Sequence, residues 1–210
     1  MTRVKTFLIV SLAAMVMSVA IASSASAVKV CSTAGTGASC EGTLGKEYTG
    51  AFSASLTLNK SITLTSGFIR WQCSVSSIAG SFTVADPATG FVSSLGFASC
   101  NGDLGACTFE TNSSAITKWH VAANSGNTIT STHNPMRVAF NCGGAICKYY
   151  ANDATVTVDN SYWIGFTHIK AKLTASVPLA LEIGNSGFCA STVIWDGDYT
   201  INAPNDLNLG

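Results

Sequence analysis

Between Ile169 and Val177 apolar and polar residues alternate without a break. Ile169, Ala171, Leu173, Ala175 and Val177 fall on one side, and Lys170, Lys172, Thr174 and Ser176 on the other. A period of two puts one face of an extended strand into a core and the other into water, and it does not fit a helix. The pattern recurs early in the chain, where Phe52, Ala54, Leu56 and Leu58 alternate with Ser53, Ser55 and Thr57, followed by Ile62, Leu64 and Phe68 to Val75. Turn signals separate such runs: Asn59-Lys60, Asp86-Pro-Ala-Thr-Gly90, Asn124-Ser-Gly-Asn127 and His133-Asn-Pro135. No stretch sustains a 3.6-residue apolar period with caps at both ends, and the best helical candidate is the short run Phe91 to Phe97. The pattern predicts an all-β domain of about eight to eleven strands, an antiparallel β-sandwich or barrel.

Eight cysteines, Cys31, Cys40, Cys73, Cys100, Cys107, Cys142, Cys147 and Cys189, all lie beyond residue 27. An even count behind an export signal reads as a set of disulfides, which staple the domain. No Cys-x-x-Cys occurs, so the thiolate spacing of a zinc site is missing. Two segments bracket short glycine-containing loops, Cys100-Asn-Gly-Asp-Leu-Gly-Ala-Cys107 and Cys142-Gly-Gly-Ala-Ile-Cys147. They suggest the local pairs Cys100–Cys107 and Cys142–Cys147. Cys31–Cys40 would close the lead-in on itself, which leaves Cys73–Cys189. In the loop-entropy account the short bridges are worth roughly 2 kcal/mol each and the long one roughly 5. The second bracketed loop joins Val138-Ala-Phe140 to Lys148-Tyr-Tyr and Thr155-Val-Thr-Val158, and the whole predicts a hairpin.

Residues 1–27 have the layout of a cleaved bacterial export signal. Arg3 and Lys5 open it, Phe7 to Ala22 is apolar, and Ala25-Ser26-Ala27 is a small-residue cleavage site. The expected product is a secreted, extracellular protein of about 180 residues, released rather than anchored, because no lipid-attachment cysteine follows the cleavage site directly. Its organisation reads as an irregular Gly/Ser-rich lead-in over 28–45 and one all-β domain over 46–210. Beyond residue 27 the chain holds nine Lys and Arg against eleven Asp and Glu. That balance lacks the basic patch a nucleic acid or an anionic membrane would need, so neither partner, and no membrane insertion after cleavage, is expected.

Motifs for known chemistry are sparse. A nucleophile elbow, a His-Glu-x-x-His pair, a Walker loop and an EF-hand loop are all missing, and His120, His133 and His168 stand apart from one another. Asp196 and Asp198, in Trp195-Asp-Gly-Asp-Tyr199, would share a face of a strand and could hold calcium or work as an acid/base pair. A solvated turn or bulge at Gly197 explains them equally simply and is preferred, so no metal or other cofactor is expected. Four tryptophans and five tyrosines offer another use, since aromatic rings on a sheet surface stack on sugars. Tyr150, Trp163, Trp195 and Tyr199 are the candidates, set against core packing as the simpler reading.

The cysteine loops, the segment Cys73-Ser-Val-Ser and the ending Cys189-Ala-Ser-Thr-Val-Ile-Trp195-Asp-Gly-Asp-Tyr-Thr200 resemble a group of secreted actinobacterial proteins of unknown function. The resemblance runs from about Tyr48 to Pro204 and leaves Cys31 and Cys40 outside. It implies a β-rich fold and no site. The expectation is a secreted binding or structural domain without catalysis. A glycan or cell-wall ligand, or self-assembly, is the use to look for. The alternative is a hydrolase built from Asp196, Asp198 and either His120 or His168.

Overall fold

The computed structural model describes residues 28–41, 45–66, 69–103, 107–109, 119–124, 127–131, 136–142, 144–164, 166–182 and 189–210, with backbone alone at 66, 69, 107, 109, 119–121, 142 and 163. All regular structure among them is strand. In chain order these are β1 (Val30–Ser32), β2 (Lys46–Glu47), β3 (Gly50–Leu56), β4 (Ile62–Ser66), β5 (Ile69–Ala85), β6 (Ala88–Gly102), β7 (Cys107–Phe109) and β8 (Trp119–Asn124). They continue with β9 (Thr128–Ser131), β10 (Met136–Cys142), β11 (Ala145–Ala151), β12 (Thr155–Asp159), β13 (Tyr162–Ile164), β14 (Thr167–Ile169), β15 (Lys172–Leu181), β16 (Thr192–Ala203) and β17 (Asn208–Leu209). Phe91 to Phe97 lies inside β6 and is not helical, because Val92, Leu95 and Phe97 are needed in the core of a strand that pairs on both sides.

The ladders close on themselves. β5, β6, β15 and β16 run the length of the wall, and each remaining position is filled by two strands end to end: β3 with β4, β7 with β8, β9 with β10, and β11 with β12. The register shows the end-to-end relation, since β16 pairs Ile194 to Asp196 with β4 and Tyr199 to Ala203 with β3. Likewise β15 pairs Leu173 with Val158 of β12 and Ala180 with Tyr150 of β11. Every neighbour is antiparallel, and the last wall strand, β16, returns to the first, β3 and β4. This is the closed pairing of an up-and-down barrel with eight wall positions, a size that side chains can fill.

The alternation read from the sequence decides what fills it. Leu173, Ala175, Val177 and Leu179 of β15 point inward, beside Val193, Trp195, Tyr199 and Ile201 of β16, with Phe52, Ile78, Phe82 and Phe140 from other wall strands. Phe52 and Phe82 stack with centroids 5.0 Å apart, and Trp195 meets Phe97 and Tyr199 edge-on at 6.1 Å each. Among the described residues an apolar void of about 40 Å³ lies in the interior, lined by Phe52, Ile78, Met136, Leu173 and Trp195 among others. It is smaller than any organic ligand needs.

Two expectations are corrected by this register. Gly197 is neither turn nor bulge: it pairs with Ala175 in an unbroken stretch of the β15–β16 ladder. The irregularity sits in the partner strand, where residues 57–61 leave the wall between β3 and β4, and a Cβ on Gly197 would strike Ile62 Cδ1 at 2.1 Å. The lead-in over 28–45 is also less irregular than expected, because β1 pairs with β17 and β2 and buries Val30 and Cys31 completely or nearly so.

Among the described residues the bridges are Cys31–Cys40, as expected, then Cys73–Cys100 and Cys147–Cys189. The proposed pairs Cys100–Cys107, Cys142–Cys147 and Cys73–Cys189 are therefore wrong. In the β10–β11 hairpin Cys142 stands opposite Ala145 and Cys147 opposite Phe140, so the two cysteines that frame the turn are not cross-strand partners. Cys100 does face Cys107 across β6–β7, but it also faces Cys73 across β5–β6, and Cys73 takes it.

Candidate functional site

Where β11 gives way to β12 the wall opens. Tyr150 pairs with Ala180 and Val156 with Ala175, and between these rungs residues 176–179 of β15 have no ladder partner on that side among the described residues. The reason is a detour at 152–154. Ser131, buried at the end of β9, donates from Oγ to the Asn152 carbonyl (3.1 Å) and accepts from the Ala154 N–H (2.9 Å). Its own N–H donates to the Ala154 carbonyl (2.9 Å). Three bonds to one residue draw the segment toward β9 and away from β15. Pro178, which has no N–H to offer a ladder, stands in the unpaired stretch of β15.

The result is an open groove of about 450 Å³ on the outer surface. Its floor is Ala151 and Val177, and its rim carries Tyr150, Asn152, Asp153, Thr155, Ser176 and Thr192. Tyr150 is half-buried on the outward face of β11, while its neighbour Tyr149 turns inward and is 2% exposed. Asn152, Asp153, Thr155, Ser176 and Thr192 are all exposed. The lining offers one aromatic face, one amide, one carboxylate and several hydroxyls. Among the described residues it contains no histidine, cysteine or second carboxylate.

The other candidate residues are elsewhere. Trp195 and Tyr199 are 2% and 0% exposed, on the inward face of β16, and so are core residues and not surface stacking platforms. Trp195 Nε1 donates to Tyr199 Oη at 3.1 Å. Ser76 Oγ, which donates to the Gly96 carbonyl at 2.8 Å, is left to accept from Tyr199 Oη at 2.9 Å. Burial pushes the Tyr199 hydroxyl far above the usual phenol range, against the smaller opposing effect of those hydrogen bonds. Trp163 belongs to β13, outside the barrel wall, and its side chain lies outside the described residues.

Asp196 and Asp198 do share the outward face of β16, as the strand period requires. Asp198 accepts from Thr174 Oγ1 (3.1 Å) and lies 3.7 Å from Lys60 Nζ, a surface contact that occupies it with its own neighbours. His168 is on β14, opposite Trp163, in a different sheet from both aspartates, while the His120 side chain and all of His133 lie outside the described residues. Among the described residues no group of three or more His, Cys, Asp or Glu side chains could hold a metal ion. The residues the sequence reading did not single out as site residues are Ser131, Asn152, Asp153, Thr155, Ser176, Pro178 and Thr192. Only Pro178, a residue without an N–H inside a strand's alternation, carried any signal.

No protein-family model, curated protein or solved structure matches the chain.

Proposed function

We propose that this is an exported binding domain that holds a polyhydroxylated ligand, a glycan of a cell wall or other extracellular polysaccharide, in the groove under Tyr150. The observation that carries the reading is the composition of that groove. A half-buried aromatic ring is flanked by Asn152, Asp153 and the hydroxyls of Thr155, Ser176 and Thr192. A sugar ring presents an apolar C–H face and a rim of hydroxyls, which those groups complement. One carboxylate without a second acid or base suits holding a ligand better than cleaving it. The disulfides fit an oxidising compartment, in line with export. Assembly through a bare sheet edge is less well supported, because among the described strands every wall position has partners on both sides.

The test is co-sedimentation of the oxidised protein with insoluble polysaccharides and with isolated cell walls. Saturable binding is expected, weakened about tenfold or more by Tyr150→Ala and by Asp153→Ala. Wild-type protein that stays in the supernatant with every polymer, or binding indifferent to both substitutions, would reject the groove as a glycan site.

A further inference from the structure

β13 and β14 form a two-stranded sheet of their own, inserted where β12 and β15 would otherwise meet in a tight turn. Its sequence, Tyr162-Trp-Ile-Gly-Phe-Thr-His-Ile169, is apolar for a surface hairpin, and its apex is bare. Tyr162 is 47% exposed, Ile164 62% and Phe166 fully exposed, which makes this the densest run of exposed large apolar side chains among the described residues. Single exposed apolar residues are ordinary, whereas a contiguous set on a projecting element marks a contact surface.

The base of the hairpin is fixed. Asn160 exchanges two hydrogen bonds with Leu209, Nδ2 to its carbonyl and Leu209 N–H to Oδ1, each 2.9 Å. The Ser161 N–H reaches the Leu207 carbonyl at 3.2 Å, and the Ala171 N–H the Asn205 carbonyl at 3.4 Å. The tip is thus held out from a pedestal of the C-terminal segment. Along the hairpin itself the formal charge is of one sign. Between Asn160 and Ala171 the only formally charged residue is Lys170, exposed at the foot of β14, while Asp159 and Lys172 stand opposite each other across β12–β15 and offset one another.

We infer that this hairpin docks the protein on an anionic lipid bilayer, with Phe166 and Ile164 below the headgroups and Lys170 among the phosphates. A convex apolar tip fits a fluid interface, which needs no matching pocket, and a tyrosine such as Tyr162 favours its headgroup level. Phe166 and Lys170 are four residues apart, about 13 Å along a strand, so a tip immersed by 5–10 Å leaves the ammonium at the phosphates. The near-neutral, slightly acidic balance of the whole chain argued against such a partner, but docking depends on the local charge of the face that meets the membrane. This docking is independent of the groove.

Flotation of the exported, oxidised protein with vesicles of phosphatidylglycerol and phosphatidylcholine, against vesicles of phosphatidylcholine alone, tests it. The protein is expected to float with the anionic vesicles and to stay at the bottom of the gradient with phosphatidylcholine alone. Phe166→Ser should weaken partitioning roughly tenfold or more, and Lys170→Glu should abolish the preference for anionic lipid. Because Phe166 packs on nothing, near-ultraviolet circular dichroism should show both variants folded. Failure of the wild type to float, flotation untouched by Phe166→Ser, or Phe166-dependent self-association in sedimentation velocity without vesicle binding would each overturn the inference.

Discussion

Ser131 determines whether the groove exists. It is a buried hydroxyl, 3% exposed, and such a group is tolerated in an apolar interior only when its bonds are met. Here meeting them requires Asn152 and Ala154 to leave the line of the strand, so the side chain that is satisfied also makes the opening. Ser131→Ala leaves the Asn152 carbonyl and the Ala154 N–H to find other partners. It should lower unfolding stability by about 1–3 kcal/mol in urea titration, and weaken polysaccharide binding although Ser131 does not touch the ligand. Ser94→Ala, at an exposed position of β6, should change stability by no more than about 0.5 kcal/mol. The sequence could not single out Ser131 because one serine before a turn resembles every other. Tyr150 was legible as an aromatic in a strand, but the doublet Tyr149-Tyr150 does not state which ring faces out. Trp195 and Tyr199, weighed as surface rings against the simpler core reading, belong to the core: they share the inner face of β16 with Val193 and Ile201, opposite Asp196, Asp198 and Thr200.

At the scale of the strands, period-two alternation made β3, β4, β15 and β16 legible, and turn chemistry placed the hairpin at Asp86-Pro87 and the turn at Asn59. What alternation does not contain is register, and register decides the disulfides. Cys73, Cys100, Cys107 and Cys142 are successive Cα partners across β5, β6, β7 and β10, so four cysteines form one rung of the wall. Cys100 therefore has two cross-strand neighbours, and short sequence spacing points to the wrong one. With Cys73 bonded to Cys100, the rung sets Cys107 against Cys142. Non-reducing peptide mapping by mass spectrometry should find Cys107 linked to Cys142, and no peptide joining Cys100 to Cys107. The bridges also differ in what they constrain. Cys147–Cys189 spans 42 residues against 9 for Cys31–Cys40, which the loop-entropy account translates into about 4 and about 2.5 kcal/mol. The early, long bridge imagined between Cys73 and Cys189 is replaced by a rung that locks neighbouring strands and a later bridge beside β11.

At the scale of the whole molecule, the described residues form a closed wall, and beside it residues 28–32 meet residues 206–210 in one clasp. Val30 pairs with Leu209, the Ala88 N–H reaches the Val28 carbonyl at 2.9 Å, and Lys29 Nζ lies 2.9 Å from Glu47 Oε1 and 3.0 Å from Asp86 Oδ2. Hydrogen bonds to Glu47 and then Asp86 push the Lys29 ammonium up to about 12. At the centre is Asp206, buried, accepting from Ser32 Oγ at 2.6 Å and from the Thr33 N–H at 2.7 Å. Burial alone would raise its carboxyl, but the hydrogen bonds from Ser32 and Thr33 outweigh it and hold the group below the ordinary aspartate range. A depressed carboxylate stabilises the fold at every pH above its unfolded value of about 4, and the contribution disappears as pH falls through the lower, folded value. Acid should therefore loosen the clasp below about pH 4. Asp206→Asn should cost about 1–3 kcal/mol at pH 7 and should flatten the acid limb of a plot of unfolding midpoint against pH. An acid limb as steep in the variant as in the wild type would place the acid-sensitive carboxylate elsewhere. Because the clasp also anchors Asn160 and Ser161 through Leu207 and Leu209, its acid loosening should free the base of the β13–β14 hairpin, so vesicle docking should decline over the same pH interval in the wild type and be weak at all pH values in Asp206→Asn.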